Sequence, residues 1–283
     1  MGAQTEVTWE RIAAQRPATS GERIPYAADS PQQIGVLRVP AGGGPFPVVA
    51  IVHGGCWLAE YDYRHAEPMA VALTARGYAT WVLEYRRIGD PGGGWPGTFL
   101  DVGRGLDFLR SLGPARNLDL ARVVAVGHSA GGHLALWLAA RSKLAAASEL
   151  YRADPLPLAG VVALGAISDL RSYAAGSGDC NAAVPELMGG LPGAIDARYG
   201  EANPLELAPL GLPLRFVHGD GDRIVPLEQS RRFVDVERRA NAHVALEVVG
   251  GGHFDLIAPF APAWSVVERH VAELLGGRRD AAR

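Results

Sequence analysis

The chain predicts an α/β fold built on a mostly parallel sheet, and three features of its pattern lead there. Apolar runs rich in Val, Ile and Leu recur along the 283 residues, amphipathic stretches of helical period separate them, and Gly and Pro punctuate the junctions. Near-continuous apolar strands alternating with amphipathic helices imply a sheet covered on both faces.

The elements follow in order. "IGVLRVP" (34–40) and "PVVAIVHG" (47–54) read as strands, and the stretch 22–40, with no helix inside it, reads as an antiparallel hairpin edge. "HAEPMAVALTARG" (65–77) has helical spacing and ends on a capping glycine. "YATWVLEYR" (78–86) is a strand, "TFLDVGRGLDFLRSL" (98–112) a helix, "RVVAVGHS" (122–129) a strand and "AGGHLALWLAARS" (130–142) a helix. Strands at 158–168, 213–220 and 244–251, with helices at 227–240 and 263–276, complete the alternation and bring the sheet to eight strands. Residues 22–276 read as one domain, 1–21 as an N-terminal extension and 277–283 as a frayed tail. From Asp169 to Leu212 the chain is dense in Gly and Pro and weakly periodic. So long an interruption inside an α/β domain reads as a lid over a site.

Composition closes off several classes. With 48% apolar and 20% charged residues and a net charge of −3, the chain has no electrostatic footprint for nucleic acid. No stretch approaches the ~20 apolar residues of a membrane span. The N-terminus has no apolar signal core, and Glu6 stands where a myristoylation motif needs Ser or Thr, so the expected location is cytoplasmic. The basic C-terminal "GGRRDAAR" reads as a solvated end. Two cysteines, Cys56 and Cys180, are too few for a disulfide scaffold or a cysteine-rich zinc site.

The chemistry concentrates in short motifs. Gly127-His128-Ser129-Ala130-Gly131 is a G-x-S-x-G that leaves a strand and opens a helix, the context a nucleophile elbow requires. A serine hydroxyl needs a base. Of eight histidines, His253, in the loop after the last strand, satisfies the chain order Ser, acid, His. Asp220 and Asp222, after the preceding strand, both fit the place of the acid that orients that base. Asp169 and Asp255 read as structural carboxylates. A developing oxyanion needs amide donors: one is the N–H of Ala130, and a second comes from "HGGCW" (53–57), whose glycines allow close backbone approach.

With these residues in place the sequence resembles the α/β-hydrolase superfamily from about residue 22 to 276. Within it, "HGGCW" and "GHSAGGHL" look most similar to the kynurenine formamidase and related carboxylesterase branch. "HGDGDRIVP" is similar to the superfamily's HGxxDxxVP signature, which selects Asp222 over Asp220 as the acid. The resemblance implies a catalytic set of Ser129, Asp222 and His253, with oxyanion donors from the amides of Gly55, Cys56 and Ala130. It implies no cofactor and no metal. Trp57, Tyr61, Trp95, His128, Tyr173 and Phe254 are candidates for the pocket wall, with ordinary packing as the competing role.

The expected function is hydrolysis of a small-molecule ester, aryl amide or formamide through an acyl-enzyme. An arylformamidase, an acyltransferase and a silent binding module are the alternatives. The subunit is expected to be a monomer or a dimer, with neither nucleic-acid nor membrane partners. Cys56 is expected to matter for its amide. If the lid folds over its loop, Cys56 and Cys180 can pair, provided their Cα atoms come within about 7 Å.

Overall fold

The computed structural model describes residues 6–15, 20–240 and 242–276. The apolar runs form β1 (Glu22–Pro25), β2 (Ile34–Arg38), β3 (Phe46–Val52), β4 (Ala79–Leu83), β5 (Leu118–His128), β6 (Gly160–Leu164), β7 (Leu214–Gly219) and β8 (Val244–Val249). They make one eight-stranded sheet in the order β1-β2-β4-β3-β5-β6-β7-β8. β1–β2 and β2–β4 pair antiparallel, and the other five pairings are parallel. This is the arrangement of the α/β-hydrolase fold.

The helices are α1 (Trp9–Ala13), α2 (Glu67–Ala75), α3 (Gly97–Asp107), α4 (Leu109–Arg116), α5 (Ala130–Ala140), α6 (Leu170–Ala174), α7 (Asp179–Met188), α8 (Asp196–Ala202), α9 (Pro204–Leu207), α10 (Leu227–Glu237) and α11 (Trp264–Gly276). Side chains of β3 alternate between two cores, as the period of a strand demands. Val48, Ala50 and Val52 pack with Phe99, Leu106 and Trp137 of α3 and α5. Val49 and Ile51 pack with Met69, Leu73, Val267 and Val271 of α2 and α11. Burial on both faces is why β3, β4 and β6 carry so few polar residues.

Three details differ from the sequence pattern. The helix expected over 98–112 is divided at Phe108 into α3 and α4. Residues 169–212, weakly periodic as sequence, fold into the short helices α6 to α9. The N-terminal extension contributes α1, and Val7 and Ile12 bury their side chains in the core that includes α2 and α11. The tail 277–283 lies outside the described residues. Because β3 to β8 run parallel, the loops at their carboxyl ends meet along one edge of the sheet, where a doubly covered sheet places its site.

Candidate active site

Ser129 stands between β5 and α5 at φ 57° and ψ −121°, a left-handed conformation that a residue with a Cβ adopts only at a cost of order 1–3 kcal/mol. Two glycines make this turn possible. A Cβ on Gly127 would lie 2.1 Å from the carbonyl oxygen of Gly131, and one on Gly131 would lie 2.1 Å from that of Val52. Neighbouring backbone bonds hold the serine in place: its N–H donates to the Leu164 carbonyl at 2.9 Å, and its own carbonyl accepts from His133 N–H at 3.1 Å. Ala130 opens α5, so its N–H stands at the positive end of the helix.

His253 follows β8 and meets Asp222, which follows β7. The imidazole Nδ1–H donates to Asp222 Oδ2 at 2.6 Å. The other carboxylate oxygen accepts the backbone N–H groups of Ile224 and Val225, each at 2.9 Å. Burial pushes the Asp222 carboxyl upward, but the hydrogen bond and charge of His253, with those two amides, outweigh it and hold the group below its ordinary value. The pair sits against Gly165, where a Cβ would come 3.1 Å from Asp222 Oδ2 and 3.2 Å from His253 Nδ1. Asp220 instead accepts from Gly251 N–H at 3.1 Å. Asp255 accepts from Val7 and Gly252 N–H, and Asp169 caps α6.

The loop after β3 is held in an unusual shape. Gly55, Cys56 and Trp57 have φ values of 100°, 52° and 59°. Surrounding bonds impose this run of left-handed residues. Leu58 N–H donates to the Gly55 carbonyl at 2.9 Å and Ile88 N–H to the Trp57 carbonyl at 2.8 Å. The Trp57 indole N–H donates to His133 Nδ1 at 3.2 Å. Cys56 is joined to Cys180 of α7 by a disulfide with Cα atoms 5.0 Å apart. Its side chain is therefore committed to the link that the sequence allowed on condition that the lid folds over this loop.

A cavity of about 310 Å³ has Ser129, His253, Gly55 and Cys56 on its wall. Tyr61, His128 and Phe254 line it as well. Trp57 is fully buried in the core, the Trp95 indole packs on Phe99 and bonds Glu149, and the Tyr173 hydroxyl donates to the Ile224 carbonyl; these three are not part of this wall. Sequence reasoning passed over Trp9, His65 and Ile224, which are. Trp9 had a signal in the apolar spacing of Val7, Trp9 and Ile12. A larger surface cavity of about 810 Å³, beside Arg38 and Arg116, contains none of the residues above. Among the described residues no cluster of three or more His, Cys, Asp or Glu side chains is arranged to hold a metal ion. No described helix is long and apolar enough to cross a membrane.

A family model described as BD-FAE matches residues 36–236. The chain belongs to the BD-FAE family. Beyond this BD-FAE match, it is 27% identical over 250 residues to Esterase LipC of Mycobacterium tuberculosis, an alignment that takes in 83% of this chain but only 60% of LipC. Esterase B from Lactobacillus rhamnosis superposes with a TM-score of 0.77 at 23% identity, covering 96% of this chain and 91% of that one. A truncated carbohydrate esterase from gut microbiota gives a TM-score of 0.77 at 21% identity, covering 92% and 97%. Both superpositions bear on the fold. The BD-FAE match begins at residue 36, so the α1 segment with its pocket-lining Trp9 lies outside it.

Proposed function

We propose that the protein hydrolyses carboxylic esters of small molecules, with Ser129 as nucleophile, His253 as general base and acid, and Asp222 as the group that orients His253. The observation that carries this reading is the 2.6 Å bond between His253 Nδ1 and Asp222 Oδ2, with His253 on the wall of the same cavity as a serine on a left-handed elbow. That bond places the proton on Nδ1 and leaves Nε2 as the basic nitrogen.

Ser129 Oγ attacks the ester carbonyl while His253 Nε2 takes its proton. The carbonyl oxygen becomes an oxyanion held by the amide of Ala130 and those of Gly55 and Cys56, each such donor worth about 2.7–4 kcal/mol in the transition state. The intermediate collapses, His253 protonates the departing alcohol, and an acyl-serine remains. Water, deprotonated by the same imidazole, releases the acid and restores the serine. The esterase names of relatives such as LipC support the ester as substrate; the formamidase alternative has no counterpart among them. A cavity of about 310 Å³ lies at the small end of ligand sites, which favours short acyl groups.

Ser129→Ala is expected to abolish turnover of p-nitrophenyl acetate and butyrate, and a fluorophosphonate probe is expected to label only the wild type. Undiminished turnover by the variant overturns the reading. Including an arylformamide and measuring formate release separates ester from formamide preference.

A further inference from the structure

A chain of imidazoles runs behind the candidate base, outside the three residues proposed for catalysis. His128 Nε2 lies 3.0 Å from the backbone carbonyl oxygen of His253, and His128 Nδ1 lies 3.1 Å from His65 Nε2. The carbonyl end fixes every proton in this chain. A carbonyl can only accept, so His128 Nε2 must carry a hydrogen. In a neutral ring His128 Nδ1 is then a lone pair, and His65 Nε2 must donate to it. His65 Nδ1 is left as a bare acceptor, and it is buried without a hydrogen-bond partner. Both rings are neutral: burial, reinforced by nearby histidines, pushes His65 down to about 3 and His128 well below its ordinary value.

The unpartnered nitrogen makes His65 an expensive residue for packing alone. Its ring lies 5.0 Å from Trp9, 5.2 Å from His128 and 6.4 Å from Phe254 between centroids, a setting that would accept Phe. Phe would also avoid the roughly 1–3 kcal/mol of a buried orphan acceptor. What His65 supplies and Phe lacks is the Nε2 hydrogen that His128 Nδ1 accepts, which fixes how the His128 ring is turned.

We propose that His65 and His128 are positioning residues for the ester hydrolysis proposed above: His65 pins the His128 ring by donating to its Nδ1, and the Nε2–H of that ring then ties down the backbone of His253. This rests on the reading of His253 as the base. Without the His65 donor, the carbonyl still favours the Nε2–H tautomer, but His128 Nδ1 becomes a buried acceptor without its partner, and nothing then fixes how the ring is turned toward the His253 carbonyl. The ring can then turn away from that carbonyl, and the His253 backbone loses the bond that holds it. Displacement of a reacting group by fractions of an ångström is costly in rate.

The test compares His65→Phe with His65→Gln, whose side-chain amide presents an N–H near the position of Nε2. His65→Phe is expected to lower kcat for p-nitrophenyl butyrate about tenfold with KM within about twofold, and fluorophosphonate labelling of Ser129 should slow in parallel. His65→Gln is expected to recover most of that loss. An unchanged kcat in His65→Phe, or equal impairment of both variants, overturns the proposal. The tautomer of His128 in the wild type, read from long-range proton–nitrogen NMR correlations, is an independent arm should His65→Phe fail to fold: the Nε2–H form is expected, and an Nδ1–H form overturns the proposal. Failure of the hydrolase reading would show instead in an active Ser129→Ala, which leaves the tautomer measurement unaffected.

Discussion

At the scale of single residues, the candidate site depends on who holds which proton. Asp222 has one oxygen on His253 and the other on two backbone amides, so it can neither turn away nor readily take a proton. Replacing it by Asn keeps the shape but offers an amide that can donate to Nδ1 and move the imidazole hydrogen to Nε2, the wrong nitrogen for a base. Asp222→Asn is therefore expected to lower kcat about 10⁴-fold while the protein stays folded with a lowered melting temperature, since the stabilising charge is lost; a loss under tenfold would mean that another carboxylate orients His253. Ser129 and Asp222 were legible in the sequence as candidates because each stands in a short motif whose backbone demands restrict the residues around it, and His253 because it follows the last strand in the chain order Ser, acid, His. Gly131, for instance, has carbonyl oxygens of Val52 and His53 within 2.4 Å of where a Cβ would be. His65 was not legible in the same way. Its role depends on a contact with His128 across 63 positions, and local spacing carries no trace of that contact.

At the scale of elements, the loop after β3 and helix α7 are one mechanical unit. Cys56 holds a left-handed φ of 52°, and the disulfide to Cys180 closes a sequence separation of 124 residues. Such a link limits the unfolded chain far more than the folded one, and its removal is expected to cost roughly 2–5 kcal/mol. Cys180→Ser should lower the melting temperature accordingly while reducing kcat less than tenfold, because the bonds of Leu58 to Gly55 and of Trp57 to His133 still shape the loop. A fall of 100-fold or more in kcat would show that the disulfide, and not the loop's own bonds, sets the amides. Thiol titration of the unreduced, unfolded protein should find no free cysteine. Disulfides persist in oxidising compartments, so the pairing weighs against the cytoplasmic location expected from the N-terminal sequence. The sequence exposed both cysteines and allowed their meeting only on condition that the lid covers the loop; the structure meets that condition because the 169–212 segment folds as helices that bring Cys180 of α7 to Cys56. That packing arises from tertiary burial of Val184, Leu187 and Met188, where helical period alone was too weak to reveal it.

At the scale of the whole molecule, the fold buries several histidines as neutral rings, and that sets its response to acid. Burial lowers His65 to about 3 and His133 to about 4, and it takes His128 well below its ordinary value. In the unfolded chain each titrates near 6.5. Between those values the unfolded state binds protons that the folded state refuses, so stability is full above about pH 6.5 and falls as the pH drops toward the folded values. Each such ring removes up to about 1.4 kcal/mol per pH unit. Asp222 acts in the same direction, since its carboxyl is held low in the folded state. Its contribution, however, is lost only as the pH falls below about 3.9 and through the folded value. The histidines therefore act first, and the urea midpoint is expected to decline steeply from pH 7 to pH 5, before carboxylates titrate. Burial lowers His218 as well, so His133→Phe should reduce that slope by roughly a quarter to a third even though it lowers stability at pH 7 through the lost bond to Trp57. A midpoint that stays level between pH 7 and pH 5 would mean that these rings are charged or hydrated in the folded state, and the fixed tautomers of His65 and His128 could not then hold.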